Sequence, residues 1–243
     1  MPDIDNHLHL REEPVKAYDP AYLVEQKIIQ RLVKDLQNQT ILDLGCGDCY
    51  CRRFLGKSNR VVSIGVLSEG IEKRPDCDRC QPTIIGNPAQ LPFDSESFDT
   101  VLSLGVLECL KKDLKAVREI SRVLKPGGKL IISVPEDIVL FSNIDVSSGR
   151  YRRYSKKELE SLLPDRLECE VLSDYGYPFM RLYLQCLGKL YTIDGPKAYL
   201  QAFFSSIVAR CLAKFLAFLF AAESKVFQGN FKGAQLYGVF RKR

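Results

Sequence analysis

The feature that most constrains this chain is a strand pattern that contains an acid and runs into two closely spaced glycines. It reads TILDLGCG and spans residues 40–47. A short apolar run stopped by a glycine is typical of a buried strand. Glycines let a backbone approach a ligand closely, and a helix that follows such a turn presents unpaired N–H groups at its start. The pattern therefore predicts a ligand-binding loop, provided that it opens a series of alternating strands and helices.

That series is present between residues 20 and 135. Segments 20–37 and 107–124 carry apolar residues at helical spacing, and a Pro-Gly-Gly sequence follows the second segment. The strand patterns are short apolar runs bounded by glycine, proline or charged residues: RVVSIGV, PTIIG, FDTVLSLG and KLIISVP. Strands that alternate with helices favour right-handed crossovers and a parallel sheet covered on both faces. The predicted fold class is therefore α/β and doubly wound.

The regular alternation stops after Pro135. Ser155 and Glu158 have the spacing of a helix capping box, so a helix is expected to follow Ser155. LECEVLSDYGY and AQLYGVFRK read as strands, and residues 178–226 between them are largely helical. These strands bring the predicted sheet to seven, mostly parallel, with a helical insertion in the C-terminal part.

The charge of the chain is distributed unevenly. Residues 1–149 contain 19 Lys+Arg and 22 Asp+Glu, whereas residues 150–243 contain 16 and 8. A basic C-terminal part favours anionic partners, although a solvated basic surface gives the same pattern. The first residues lack the apolar run of a signal peptide, so the nine cysteines are expected to be reduced thiols of a cytoplasmic protein.

Three segments, in this order, carry a resemblance to a known family. Residues 43–47 (DLGCG) resemble the first motif of class I S-adenosylmethionine-dependent methyltransferases. Residues 91–110 and 118–136 resemble two later motifs of the branch called methyltransferase type 11. The resemblance implies a Rossmann-like sheet, S-adenosyl-L-methionine as the cofactor, and methyl transfer to a small-molecule acceptor, either anionic or linked to a lipid or glycan. It also implies an N-terminal arm of residues 1–18 and a methyltransferase domain of residues 19–243, with an acceptor-side lid and the helical insertion in residues 137–226.

The resemblance further implies which residues hold the cofactor. The methionine end would lie against the first glycine loop, the adenine against the segment after the third strand, and the methionine tail above the end of the fourth strand. The residues at these places are, in the same order, Asp43, Gly45, Cys46 and Gly47; Asn87 and Ala89; Ser103 and Leu104. For each of them, packing at a strand end is the alternative interpretation.

Two positions depart from the family pattern. Cys49 replaces the third glycine of the loop, and this small residue is expected to keep the path of the backbone. Val66-Leu67-Ser68 stands at the end of the second strand, where the family has an acid that accepts both ribose hydroxyls. Glu69 could supply that carboxylate, but an acid that favours a helix N-terminus explains Glu69 equally well.

A metal site is the rival interpretation of the cysteine-rich loop. Cys46 and Cys49, with Cys77 and Cys80, form two CxxC pairs of the kind used by tetrahedral zinc sites. The gap between the pairs is longer than usual, and Cys46 fits the methyltransferase motif without a metal. We therefore predict no metal.

The segment GRYRRYSKKELE (149–160) predicts the acceptor side. It resembles a Gly-His-x-Arg-Arg-Tyr segment of many type 11-like enzymes, with arginine in place of the histidine. Arginine and tyrosine offer donors and flat faces, and the segment follows the fifth strand at the edge where ligands bind in such sheets. A lid or anion clamp is therefore expected, the alternative being an exposed basic turn. The acceptor contacts predicted are Arg150, Tyr151, Arg153 and Tyr154. No catalytic base can be named from the sequence.

A nearly apolar stretch, residues 199–222, carries a polar stripe of Ser206, Arg210 and Lys214. Two basic residues inside it disfavour a membrane span. Three interpretations stay open: packing against its own domain, self-association, and peripheral contact with a membrane surface.

Two function hypotheses follow from the sequence. The first is an active methyltransferase; the second is a non-catalytic binding module that keeps the fold, motivated by the missing ribose acid. A nucleic-acid methyltransferase would rest on basic charge alone, since no RNA-binding module accompanies it, so no specific nucleic-acid partner is predicted.

Overall fold

The computed structural model describes residues 19–45, 50–65, 84–190, 214–220, 222 and 232–243. A seven-stranded sheet lies at the centre, with the strand order β3-β2-β1-β4-β5-β7-β6. Its strands are β1 (Thr40–Leu44), β2 (Arg60–Gly65), β3 (Ile84–Ile85), β4 (Phe98–Leu104), β5 (Leu124–Pro135), β6 (Leu167–Tyr175) and β7 (Gln235–Lys242). All neighbours are parallel except β7, which is antiparallel to both β5 and β6. The predicted α/β fold with a mostly parallel, seven-stranded sheet is confirmed.

Helices lie before, between and after the strands. They are α1 (Pro20–Val33), α2 (Asp113–Val123), α3 (Asn143–Ser147), α4 (Lys156–Leu162) and α5 (Phe179–Leu190), and residues 214–220 are also helical. Short 3₁₀ turns occupy Tyr50–Arg53, Leu107–Cys109 and Ile138–Leu140. The helix predicted from residue 107 instead begins at Asp113, because residues Leu107–Cys109 form a 3₁₀ turn and the chain is extended at Leu110.

The helices cover both faces of the sheet because successive strand side chains alternate in direction. On β5, Ile132 belongs to a core cluster that includes Val117 of α2 and Leu159 of α4. Its neighbour Ile131 belongs to a cluster on the other face, which includes Ile29 of α1. Both clusters are closed to solvent, so the sheet is a rigid platform for whatever binds at its edge.

Local signals set the helix boundaries. The Asp19 side chain accepts a hydrogen bond from the Ala21 N–H at 2.9 Å and so caps the first turn of α1. At α4, the Ser155 hydroxyl accepts from the Glu158 N–H, and the Glu158 carboxylate accepts from the Ser155 N–H. The predicted capping box is confirmed.

A third apolar cluster sits over the carboxyl edge of the sheet. Its buried members come from α1, the 3₁₀ turn after β5, the end of β6, α5, the 214–220 helix and the segment before β7: Val24, Leu140, Tyr175, Met180, Ala217, Phe220 and Ala234. Within the described residues, the apolar stretch 199–222 therefore packs in part against its own domain. Among those same residues, none of the helices combines the length and apolar character needed to cross a bilayer.

Candidate cofactor and acceptor site

Gly45 lies directly after β1 at the carboxyl edge of the sheet. Its φ angle is +79°, a left-handed conformation that side chains other than glycine rarely adopt. A Cβ atom at this position would lie 2.3 Å from Cγ2 of Val106, which belongs to the loop after β4. The Gly45 N–H donates to the Ile64 carbonyl at 2.8 Å, and this bond fixes the loop against β2. The chain thus needs glycine here for both conformation and space.

Ser103 and Leu104 end β4 next to this turn. Ser103 pairs in register with Leu44 on one side and with Ile132 on the other. The Ser103 side chain is fully buried, and its hydroxyl has no hydrogen-bond partner within the described part of the chain. Buried hydroxyls are nearly always satisfied in folded proteins, so this hydroxyl is suited to bind a ligand atom.

Asp43 is a buried carboxyl one residue before the end of β1. Burial raises its pKa to about 6, although a hydrogen bond from the Cys51 thiol and the charge of Arg52 both act in the opposite direction. The thiol Sγ lies 3.2 Å from Asp43 Oδ2. Arg52 is itself held by β2, because its Nε donates to the Ser63 hydroxyl at 3.1 Å. A cation that approached this carboxyl would restore its charged form.

Asn87 and Ala89 form a tight turn after β3. The Asn87 side-chain oxygen accepts a hydrogen bond from the Ala89 N–H at 2.9 Å, and the Asn87 carbonyl accepts from the Gln90 N–H. Asn87 is exposed and Ala89 is half-buried. The side-chain amide of Asn87 still carries two donors and a second lone pair.

Three predicted cofactor residues, Cys46, Gly47 and Glu69, lie outside the described residues, and so do the departures at Cys49 and 66–68. All four cysteines of the alternative zinc site, Cys46, Cys49, Cys77 and Cys80, also lie outside the described residues. In the ranges that the structure describes, no group of three or more His, Cys, Asp or Glu side chains could hold a metal ion.

Both predicted acceptor arginines bind carboxylates of this chain. Arg153 donates to both oxygens of Asp145 at 3.0 to 3.1 Å and to the Glu136 carbonyl at 3.1 Å. Arg150 Nη1 donates to Asp145 at 3.1 Å, and its Nε lies 3.6 Å from Glu108 Oε1. Burial disfavours the charge on Arg150, but Glu108 and Asp145 outweigh that effect and raise its pKa. The four side chains form a buried, charge-balanced cluster beneath the 149–154 segment.

The two predicted tyrosines, Tyr151 and Tyr154, differ in solvent exposure and in hydrogen bonding. The Tyr154 phenol is buried and donates to Asp113 Oδ2 at 2.9 Å. Burial and the Asp113 charge raise the pKa of Tyr154, so the phenol stays protonated. Tyr151 is 45% exposed, with the Lys111 ammonium 5.4 Å from its ring centroid, and its N–H donates to the Glu108 carbonyl. Tyr154 fastens the segment to the start of α2, whereas Tyr151 presents a ring at the surface.

A second group of polar side chains lies at the same edge, on the face covered by α1. The Ser133 hydroxyl donates to Glu25 Oε1 at 3.0 Å. The Tyr175 phenol, at the end of β6, is buried and lacks a hydrogen-bond partner in the described ranges. Burial first, and then the charge of Glu25, raise the pKa of Tyr175, while Arg150 lowers it. Tyr175 is therefore a neutral hydroxyl that can donate to a ligand close to Arg150.

Glu136 directly follows β5 and has a perturbed carboxyl. Burial, followed by repulsion from Asp174, raises its pKa to about 7. Its Oε2 atom has no hydrogen-bond partner among the described residues. Asp174 forms an ion pair with Lys156 of α4, and a backbone hydrogen bond from Gly233 and the Lys156 charge offset the rise in the pKa of Glu136 only in part.

Several of these groups were not predicted from the sequence. Glu108, Asp145 and Asp113 hold the arginine segment, yet each is distant or unremarkable in the sequence. Glu136 and Tyr175 were detectable, because both stand at carboxyl ends of predicted strands, the edge where ligands bind in parallel sheets.

Known proteins resemble this chain in both sequence and fold. A family model described as a methyltransferase domain matches residues 42–132. An uncharacterized protein of Methanocaldococcus jannaschii is 33% identical over 145 residues, which cover 53% of this chain and 55% of that protein. Demethylmenaquinone methyltransferase of Renibacterium salmoninarum is 34% identical over 113 residues, covering 43% and 46%. The matched segment thus spans about half the length of these curated relatives.

A solved structure extends the likeness to the whole fold. A SAM-dependent methyltransferase of Thermotoga maritima superposes with a TM-score of 0.61 at 17% identity, over 94% of this chain and 92% of that one. Together with the sheet order and the glycine turn, these matches define a class I S-adenosylmethionine-dependent methyltransferase fold. Within that class, residues 42–132 match the methyltransferase domain model, and in this segment the chain is similar to type 11-like methyltransferases.

Proposed function

We propose that this protein transfers the methyl group of S-adenosyl-L-methionine to a small-molecule acceptor. The observation that carries the proposal is the turn at Gly45, which admits only glycine because φ is positive and an added Cβ would lie 2.3 Å from Val106 Cγ2. The turn directly follows Leu44, the strand partner of Ser103, whose buried hydroxyl has no hydrogen-bond partner in the described residues. A glycine turn at the carboxyl edge of a parallel sheet lets a ligand approach the backbone closely.

The residues present fit the cofactor. Ser103 would donate its unused hydroxyl to the methionine end, and Asp43 would face the amino group, whose charge would lower the raised pKa of that carboxyl. Leu104 would lie under the methionine tail, and Asn87 and Ala89 would border the adenine. When bound, S-adenosylmethionine supplies an electrophilic methyl group, and the protein has to place the acceptor in line and exclude water.

The acceptor would bind on the α1 face of the edge, near Arg150, Tyr175 and Glu25. Arg150 and Tyr175 supply donors for an acceptor oxygen, and Tyr151 offers an exposed ring at the rim. Arg153 and Tyr154 keep their predicted place in this site, and their contacts to Asp145 and Asp113 fit a role in positioning the segment.

A proton acceptor is needed only for a poor nucleophile such as a hydroxyl. Glu136 and Glu25 are carboxyls at the correct edge, and the pKa of Glu136 near 7 suits a group that takes up a proton at neutral pH. We place the reaction in the cytoplasm. The alternative, a non-catalytic binding module with the same fold, is not favoured.

The test is formation of S-adenosylhomocysteine when the full-length protein is mixed with S-adenosylmethionine and protein-free small-molecule extract. We expect turnover that depends on the extract and is lost in Gly45→Val. Binding of S-adenosylmethionine without turnover in any extract fraction would favour the binding module instead.

A further inference from the structure

Exposed apolar side chains lie on the elements that form the third apolar cluster, over the carboxyl edge of the sheet. These side chains belong to the 3₁₀ turn after β5, the first turn of α5 and the 214–220 helix, and each is 50% to 71% exposed: Ile138, Val139, Phe179, Leu182, Phe215 and Phe218. We call these six residues the apolar cap. Large apolar side chains in such number, at one end of a protein, mark a site of contact rather than ordinary surface variation.

Buried neighbours show that the three elements adjoin. Leu140, Met180 and Phe220, one from each element, belong to the same core cluster. The Arg181 guanidinium of α5 lies 2.8 Å from the Asp137 carboxylate, which caps the 3₁₀ turn. The ring of Tyr183 on α5 lies 5.8 Å from that of Phe220. The apolar cap is thus presented by one packed unit and not by separate loops.

Charge indicates what this surface meets. Residues 176–232, which connect β6 to β7, contain seven Lys+Arg but only two Asp+Glu. In the described part of that connection, Lys214 adjoins Phe215, and both Lys214 and Lys232 are exposed. Exposed aromatic and aliphatic side chains that share a segment with exposed lysines match the interface of an anionic lipid bilayer, where rings enter the headgroup region and lysines meet lipid phosphates.

We propose that the apolar cap docks on an anionic phospholipid surface. The cap follows the carboxyl ends of β5 and β6, the edge that holds the candidate acceptor site. Docking would therefore turn that edge toward the bilayer. An acceptor dissolved in the lipid could then enter the site directly. That entry step rests on the proposed function, whereas the docking of the apolar cap does not.

The experiment is sedimentation of the full-length protein with vesicles, without S-adenosylmethionine. Vesicles of phosphatidylcholine alone are compared with vesicles that also contain phosphatidylserine, at low and high salt. We expect binding to the anionic vesicles, weakened by salt because part of the attraction is electrostatic. Phe215→Ser and Phe218→Ser should each lower the partition coefficient roughly tenfold, because each ring loses apolar burial in the interface. Lys214→Glu should weaken binding to anionic vesicles only.

Two matched controls are available. Leu114 on α2 and Val171 on β6 are exposed to 43% and 44%, but they lie outside the apolar cap. Leu114→Ser and Val171→Ser should bind vesicles like the wild type. The proposal is overturned if the wild type fails to sediment with anionic vesicles, or if the phenylalanine variants bind as well as the controls. It is also overturned if light scattering shows a dimer that Phe215→Ser dissociates, since a second copy would then occupy the surface.

Discussion

The Arg153 guanidinium and the Asp145 carboxylate form a buried, two-pronged ion pair, with Nε and Nη2 of the arginine 3.0 to 3.1 Å from the two carboxylate oxygens. The pair joins the arginine-rich segment to α3. Because Asp145 is fully buried, its charge depends on Arg153 and on Arg150 for compensation. Arg153 therefore stabilises the fold of this segment, in addition to its proposed place in the acceptor site.

Replacing Arg153 by methionine should destabilise the protein. A buried ion pair broken on one side costs about 3 to 5 kcal/mol, and we expect the lower end because Arg150 still contacts Asp145. Arg152→Met is the matched control: the Arg152 side chain is 35% exposed, and Asp113 keeps its hydrogen bond from Tyr154, so the loss should be smaller, about 1 kcal/mol. Urea unfolding measures both values. Equal stability of the two variants would mean that the Arg153–Asp145 pair does not hold the segment.

Gly45→Ala should cost more stability than the same change at Gly127. Both glycines have positive φ, +79° and +77°, so both variants carry a backbone penalty of about 1 to 2 kcal/mol. Only at Gly45 would the added Cβ clash with a neighbouring side chain. It would lie 2.3 Å from Val106 Cγ2, whereas a Cβ at Gly127 would have no atom within 4 Å. Overpacking should add about 1 to 3 kcal/mol at Gly45. The difference between the two thermal midpoints isolates the steric part.

The same pair of variants tests the binding loop. Gly127 lies at the start of β5, away from the carboxyl edge, so Gly127→Ala should bind S-adenosylmethionine like the wild type. Gly45→Ala should bind it at least tenfold more weakly, because relief of the clash moves the turn. If both variants bind equally well, the turn at Gly45 does not hold the cofactor.

The stability of the free protein should depend on Asp43 as pH changes. The folded state raises the pKa of Asp43 from 3.8 to about 6, so the folded protein holds a proton that the unfolded chain releases. The resulting stabilisation is present below pH 3.8 and is lost as pH rises through about 6. Asp43→Asn should therefore reduce the fall in unfolding free energy between pH 4 and pH 7.5 by roughly 2 kcal/mol.

Asp99 provides the control of opposite sign. Burial acts to raise its pKa, but hydrogen bonds from Lys125 and the Thr40 N–H outweigh burial and lower it. Its stabilisation is present above pH 3.8 and is lost only as pH falls below that value. Asp99→Asn should therefore leave the change between pH 4 and pH 7.5 as in the wild type. An unchanged pH profile in Asp43→Asn would show that the carboxyl is not protonated in the fold.

Tyr154→Phe should lower stability by about 1.5 to 3 kcal/mol, because the phenol donates to the charged Asp113 at 2.9 Å in a buried position. Tyr151→Phe, at an exposed position, should stay within about 0.5 kcal/mol of the wild type. Denaturant titration distinguishes them. If Tyr154→Phe keeps full stability but loses methyl transfer, the phenol contacts the acceptor rather than holding the segment.

The fold was largely predictable because its signals are local. Short apolar runs ended by glycine define β1, β2 and β4, and the Ser155–Glu158 spacing sets the start of α4. The place of Gly45 followed from the same logic, since a glycine after a buried strand indicates a turn that only glycine can make. The antiparallel position of β7 between β5 and β6, in contrast, depends on pairing over long sequence distances.

The site was less predictable, because tertiary contacts decide which charges are available. Three arginines and two tyrosines in a row suggest an anion clamp, but Asp145 and Asp113 already bind some of them in the folded chain. The sequence gives no sign of Glu108, whose carboxylate approaches Arg150 from a different element. Burial likewise changes Asp43 and Glu136 from ordinary acids into groups that titrate near neutral pH, and burial is a property of the fold.

Calorimetric titration with S-adenosyl-L-methionine tests the central claim most directly. We expect one site per chain in the wild type, retained in Gly127→Ala and weakened in both Gly45→Ala and Ser103→Val, since the latter removes the buried hydroxyl that would bind the methionine end. S-adenosylhomocysteine should compete for the same site. Heat of binding that is absent at millimolar ligand in a wild-type protein shown to be folded would contradict the account.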